Sequence, residues 1–134
     1  MGRYADARDL DQDTLDRDRR ILGADHPNTL SSASNLAADL REIGEVQAGR
    51  DLDQHTLERS RRVLGDDHPS TLSSASNLAV DLYALGEVQA ARDLNQDTLE
   101  RKRRVLGADH PDTLDSAISL AADLRALGEA EDQA

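Results

Sequence analysis

The sequence has no cysteine, no phenylalanine and no tryptophan, and Tyr4 and Tyr83 are its only aromatic side chains. Without cysteine there are no disulfides, no thiolate catalysis and no Cys-based zinc site, a pattern that fits a reducing compartment. Without large rings, a core must be filled by Leu, Val, Ile and Ala, which pack densely only where helices approach closely. Strands would call for more β-branched and aromatic residues. Basic charge is also short, with 16 Lys and Arg against 27 Asp and Glu for a net charge of -11. A general nucleic-acid surface needs a positive patch to neutralise phosphates, so that class is disfavoured. No apolar run is long enough to cross a bilayer, and MGRYADARDL has neither the order of a secretion signal nor a basic transit pattern. These absences leave the expectation of an acidic, all-α, cytoplasmic protein with no membrane or nucleic-acid partner.

What the chain has in abundance is repetition. The stretch RRVLGDDHPSTL from Arg61 recurs as RRILGADHPNTL from Arg19 and RRVLGADHPDTL from Arg103. The intervals 65 - 23 and 107 - 65 between the motif glycines are both 42. Units of that length run over 2–43, 44–85 and 86–127, with a truncated stub at 128–134. A fixed period in this range is the mark of a solenoid, in which each unit buries its apolar face only against its neighbours.

Each unit holds two helical segments. In the first, A, from about Asn28 to Ile43, the residues Leu30, Ala33, Leu36, Ala37, Leu40 and Ile43 recur at steps of three and four and mark one helix face. In the second, B, from about Glu45 to Leu64, a stripe runs through Val46, Gly49, Leu52, Thr56, Ser60 and Val63, flanked by Leu57 and Leu64. The basic pairs Arg19-Arg20, Arg61-Arg62 and Arg103-Arg104, extended by Arg101 and Lys102 in the third copy, lie near Asp16, Glu58 and Glu100 on the same helices. That spacing predicts a solvated, salt-bridged helix face.

The Asp-His-Pro motif admits a metal-site reading and a structural one. One Asp and one His per joint is too few for a metal, and successive joints stand one or two helix diameters apart, so no metal and no cofactor is expected. His55 has no counterpart, the matching residues being Asp13 and Asp97, and reads as an exposed variant position. The structural reading accounts for every residue type. Gly44 and Gly86 fall where A ends, and Gly23, Gly65 and Gly107 where B ends, each suited to a helix-closing conformation. Pro27, Pro69 and Pro111 fit the first turn of the next A helix. Asn28, Ser70 or Asp112, followed by Thr29, Thr71 or Thr113, offer polar groups to the free amides there.

The run Leu36-Ala37, Leu40, Gly44, Val46, Gly49 and Leu52, repeated as Leu78-Ala79, Leu82, Gly86, Val88, Ala91 and Leu94, resembles a tetratricopeptide repeat. The unit length and the LGxDHPxTLxxxxNLAxxL pattern are similar to the kinesin light chain type of that repeat. The resemblance implies a right-handed α-solenoid of helical hairpins and a non-enzymatic scaffold that takes a protein or peptide in a concave groove. Val46 and Val88 depart from it, standing where such repeats often carry an aromatic, and so do Asp11, Asp53 and Asn95.

In the resembled family the groove is lined by the A-helix face opposite the apolar one. Here that face offers Ser34, Asn35 and Arg41, then Ser76, Asn77 and Tyr83, then Arg125. A carboxamide can clamp a peptide backbone, a guanidinium a carboxylate, and a tyrosine ring an apolar side chain. Units two and three agree at about three quarters of their positions, which equally fits a spacer or self-assembly module that binds no ligand. In that reading the last A helix presents Leu114, Ala117, Leu120, Ala121 and Leu124 to the B helix beginning at Tyr4 of another molecule. No Ser-His-Asp context, phosphate loop or HExxH motif supports an enzyme.

Overall fold

The computed structural model describes the backbone of residues 2–133 and the side chains of residues 2–128. Six helices follow one another: α1 (Gly2–Ile21), α2 (Pro27–Glu42), α3 (Val46–Leu64), α4 (Pro69–Ala84), α5 (Val88–Val105) and α6 (Pro111–Gln133). No strand occurs among the described residues. Odd-numbered helices are the B segments and even-numbered ones the A segments. Each helix packs chiefly on the one before and the one after, and α2 also touches α4. That is the all-α solenoid expected from the period.

The apolar faces are buried where the periodicity places them. One cluster joins Leu15 of α1 to Ala33 and Leu36 of α2, with Leu40 and Leu52 packed against it. The next joins Leu57 of α3, Ala75, Leu78 and Leu82 of α4 and Ala91 of α5, with Leu94 against it. Every B helix inside the array therefore serves two A helices. The stripe of α3 differs from expectation in two respects: Val63 is exposed, and Asp53 is buried alongside Gly49, Thr56, Leu57 and Ser60. At 100° per residue the buried residues centre between Gly49 and Asp53, which leaves Val63 at the edge.

The joints are built from glycine and histidine. Gly44 and Gly86 take φ of 91° and 84°. Their amides donate to Arg41 O and Tyr83 O, and the amides of Glu45 and Glu87 donate to Leu40 O and Leu82 O at 2.8 Å. This double closure satisfies carbonyls that the end of a helix would otherwise leave free. At the start of each A helix the proline holds the preceding histidine in extended backbone, with ψ of 138° at His26. From there Nδ1 of His26, His68 and His110 accepts the amides of Asn28, Ser70 and Asp112 at 3.0, 3.0 and 3.1 Å. The capping group is thus the histidine, and not Asn28, Ser70, Asp112 or the threonines after them. Thr29, Thr71 and Thr113 are buried instead, their hydroxyls without a protein partner among the described residues.

The last helix also departs from the repeat pattern. Gly128, the counterpart of Gly44 and Gly86, does not turn, and α6 runs through it to Gln133. Of the stub at 128–134, Ala134 lies outside the described residues.

Since one nitrogen of each histidine is committed to a backbone amide, the joint is a capping device. His68→Ala should lower stability by about 1 kcal/mol, whereas His68→Asn should retain most of it. Urea melts of the two variants check this, and zinc added to the wild-type chain should leave the midpoint unchanged.

Candidate functional site: the A-helix face

Two open depressions lie between successive A helices. The first, about 280 Å³, is bounded by α2 and α4 and floored by Ser60 and Leu64 of α3, and Ser34, Asn35 and Asn77 line it. The second, about 250 Å³, lies between α4 and α6. Ser76, Val80 and Tyr83 form one wall and Ser119 and Ala122 the other, with Asn95 and Asp123 at the base. Five of the seven groove residues expected from sequence thus line these two spaces. Arg41 and Arg125 line neither.

Arg41 is engaged within the protein. Its guanidinium donates to Asp81 Oδ1 at 2.7 Å and stands 3.8 Å from Asp53 Oδ2, both carboxyls being buried. It is therefore not open to take a ligand's carboxylate, as its place on the outer helix face suggested. Burial pushes the Asp53 carboxyl well above its ordinary range, and the neighbouring Asp81 adds to this, against the smaller pull of Arg41. A proton retained on Asp53 can be donated to Asp81, which leaves Asp81 Oδ1 to the arginine and gives a neutral, hydrogen-bonded node.

The neighbouring repeats vary the same node. In the third, Asn95 Nδ2 donates to Asp123 Oδ2 at 2.7 Å, so an amide does permanently what a proton does at Asp53. Desolvation still raises the Asp123 carboxyl, and the Asn95 bond opposes it. In the first, Asp11 faces Asp39, which burial foremost and Asp11 second raise to about 6. Asp53, Asp81, Asn95 and Asp123 were not among the expected site residues. The signal for them is present, because the pairs 11 and 39, 53 and 81, and 95 and 123 share one spacing of 28 residues that the repeat closes in space.

A second unexpected residue is Lys102. Its basic neighbours suggested a solvated face, yet the side chain is buried, with Nζ donating to Ser76 Oγ at 3.0 Å and to Asp112 O at 3.4 Å. Desolvation lowers its pKa, while Asp112 and Asp115 counteract. Lys102 lines a further depression on the A-helix face, beside Ser73, Asn77 and Ser119. Its position falls on the buried stripe of α5, where α3 carries the small Ser60.

The remaining basic residues also differ from expectation, because several of them cross between repeats. Arg59 and Arg62 both reach Asp25 at 2.8 Å, and Arg101 and Arg104 reach Asp67 at 2.8 and 2.7 Å. Hydrogen bonds from these arginines hold both carboxyls below their usual range. Asp25 and Asp67 are thus acceptors for the next repeat's B helix. Glu58 takes Gln54 at 3.1 Å and a 4.0 Å contact from the exposed His55. Tyr4, Leu114 and Leu124 are exposed, Ala117 and Ala121 half-buried, and Leu120 buried. Leu120 is thus already covered within the chain, so the open apolar face of α6 is narrower than its sequence suggests.

The sequence profile of the tetratricopeptide repeat family matches residues 1–48, 30–104 and 75–132. Among solved structures, the chain is similar to two crystal structures, one of them of a point variant, of the nearly identical TPR-like repeats of a Podosopora anserina protein assigned to kinesin light chains. Each has a TM-score of 0.89 and 28% identity over 98% of this chain and 62% of that one. BtubC (BKLC) from P. vanneervenii shares the fold, with a TM-score of 0.85 at 19% identity over 95% of this chain and 51% of that one. The chain thus spans less than two thirds of the length of these structures. No match is found among curated proteins.

Two variants separate the two arginines. Arg41→Ala strips the buried Asp81 of its cation and should cost about 3 kcal/mol, whereas Arg125→Ala, at an exposed position, should change stability by less than about 0.5 kcal/mol. The acid pair gives a further test through pH. A carboxyl raised in the folded state stabilises fully only below its unfolded pKa and loses that contribution as pH climbs to its folded value. Asp53 therefore weakens the fold as pH rises from the ordinary carboxylate range near 4 towards about 9. Asp53→Asn, which copies Asn95, should be more stabilising at pH 8 than at pH 5. Paired denaturant melts at the two values read the difference.

Proposed function

The chain belongs to the tetratricopeptide repeat family, and on that premise we propose that it is a non-enzymatic scaffold that binds a protein or peptide along its concave A-helix face. The observation that carries this reading is the pair of open depressions between α2, α4 and α6, into which residues of successive repeats converge. An extended segment crossing both would meet carboxamides and hydroxyls at Ser34, Asn35, Ser76 and Asn77, then an apolar wall at Val80 and Tyr83. Backbone groups of such a segment find donors and acceptors in the first space. An apolar side chain finds a ring in the second. Repeat scaffolds use such surfaces because the stacked helices hold them rigid before the ligand arrives.

A second reading, self-association, is favoured by a different observation. Leu10 is 66% exposed and Leu114 and Leu124 are 49% and 48% exposed. Their repeat counterparts Leu72 and Leu82 are 2% and 7% exposed, and Leu52 and Leu94 are half-buried. The apolar strips of α1 and α6 are thus of the kind that pairs inside the array.

Peptides selected by display on the immobilised chain test the groove. Tyr83→Ala and Asn77→Ala should each weaken a selected peptide about tenfold, which corresponds to about 1.4 kcal/mol. Gln96→Ala, on a B helix and outside both depressions, should leave affinity unchanged. Equal binding by all three variants, read by titration calorimetry, removes the assignment of the binding face.

A further inference from the structure

The contacts between successive repeats supply a template for what the outer faces of α1 and α6 fit. Asp25 takes Arg59 and Arg62, and Asp67 takes Arg101 and Arg104, in each case residues 34 and 37 positions further on. The third member of this series is Asp109, which is exposed. One repeat period relates 17 and 20 to 59 and 62, so the matching arginines at the other end of the molecule are Arg17 and Arg20, and both are exposed. None of the three has an ion-pair partner among the described residues.

The buried node extrapolates in the same way. Arg41 serves the acid pair of the following repeat, Asp53 and Asp81. Its counterpart Arg125 is exposed on α6, while the pair Asp11 and Asp39, held by α1 and α2, has no arginine of this kind beside it among the described residues. An arginine arriving there would relieve the repulsion that disfavours two adjacent carboxylates. The apolar register agrees, since Leu94 packs against the cluster of Ala75, Leu78 and Leu82. Its counterpart Leu10 would meet Ala117, Leu120 and Leu124.

We propose that a second copy of this chain docks head to tail, with α1 of one molecule on α6 of the other. Its register is set by Asp109 against Arg17 and Arg20 of the neighbour and by Arg125 against the neighbour's Asp11 and Asp39. This rests on the self-association reading above and adds the contacts that choose the partner face. All three matches, two charged and one apolar, follow from the one 42-residue repeat translation, which sets the outer face of α1 on that of α6. A charged match of this kind selects orientation and partner more than it adds affinity. The contact is heterologous, so repeated between copies it builds linear assemblies and not closed two-fold dimers.

The test is a charge swap on the 134-residue chain, read by sedimentation velocity up to about 1 mM, where even millimolar association is visible. The wild-type sedimentation coefficient should rise with concentration. Asp109→Arg, and separately Arg17→Glu with Arg20→Glu, place like charges together and should each weaken association at least tenfold. All three positions are exposed, and circular dichroism confirms that the variants fold. An equimolar mixture should regain the wild-type behaviour, because the reversed α6 end of one variant then meets the reversed α1 end of the other. A monomer at every concentration overturns self-association and this inference with it. Association that ignores both variants, or variants that fail to complement on mixing, overturns the charge register alone.

Discussion

A core with almost no aromatic residues has to close by bringing helix backbones together, and the rest of this structure follows from that requirement. Gly49 shows how close the approach is. A Cβ at that position would stand 2.9 Å from Ala37 O and 3.6 Å from Leu40 Cβ, too near for α3 to keep its place on α2. Ala91 occupies the same position in the next repeat and is completely buried. Leucines and alanines then fill the space between helices with little residual volume. Because each internal B helix contacts an A helix on both sides, removing that helix would open both of its interfaces.

Close approach carries a cost where polar groups lie on the buried stripe. Asp53, Asp81, Asn95 and Asp123 are all buried where an apolar side chain would pack more cheaply. The structure offsets this by closing each pair across an A–B interface, with Arg41 added in the middle of the array. A node of this kind is satisfied only when the repeats stand in one register, since a slip of one residue would leave carboxyls buried without partners. In some proteins buried polar groups specify geometry more than they add strength. That role suits a solenoid, whose pitch must be set at every interface by the same few contacts.

The architecture was legible because it depends on periodicity. Steps of three and four placed the buried face of α2 at Leu30, Ala33, Leu36 and Ala37, and the 42-residue interval located every joint glycine. What could not be read helix by helix was whatever crosses between helices. Arg41 lies on the outer face of an isolated helical wheel, and only the fold brings it to carboxyls 12 and 40 residues away. Lys102 sat in a basic run and read as solvated, yet it lies on the buried stripe because its helix turns that position inward. The histidine caps were missed for a local reason. Histidine is not among the preferred capping residues, but the proline after it fixes the extended backbone from which Nδ1 reaches the amide two residues on.

The same logic indicates where such an array can be made to differ from its neighbours. Positions that serve the joints and cores are nearly identical in all three copies, as the glycines, prolines, histidines and buried leucines show. The copies diverge on both helices, as Asp13, His55 and Asp97 show on B, and two divergent positions bear on the A-helix face: Arg41, Tyr83 and Arg125 at one, and Asp18, Ser60 and Lys102 at the other. At the first position Arg41 holds Asp81 while Arg125 is exposed, and at the second Asp18 takes Ser32 and Lys102 donates to Ser76. Beside Arg41 the acid pair has a counter-charge, whereas beside Tyr83 the next pair is met by Asn95 and a ring borders an open apolar depression. The Asp-to-Asn exchange at 53 and 95 and the Arg-to-Tyr exchange at 41 and 83 thus fall at the same two successive interfaces. An acid pair that no longer needs a counter-charge frees the outer position for a side chain that can face a ligand.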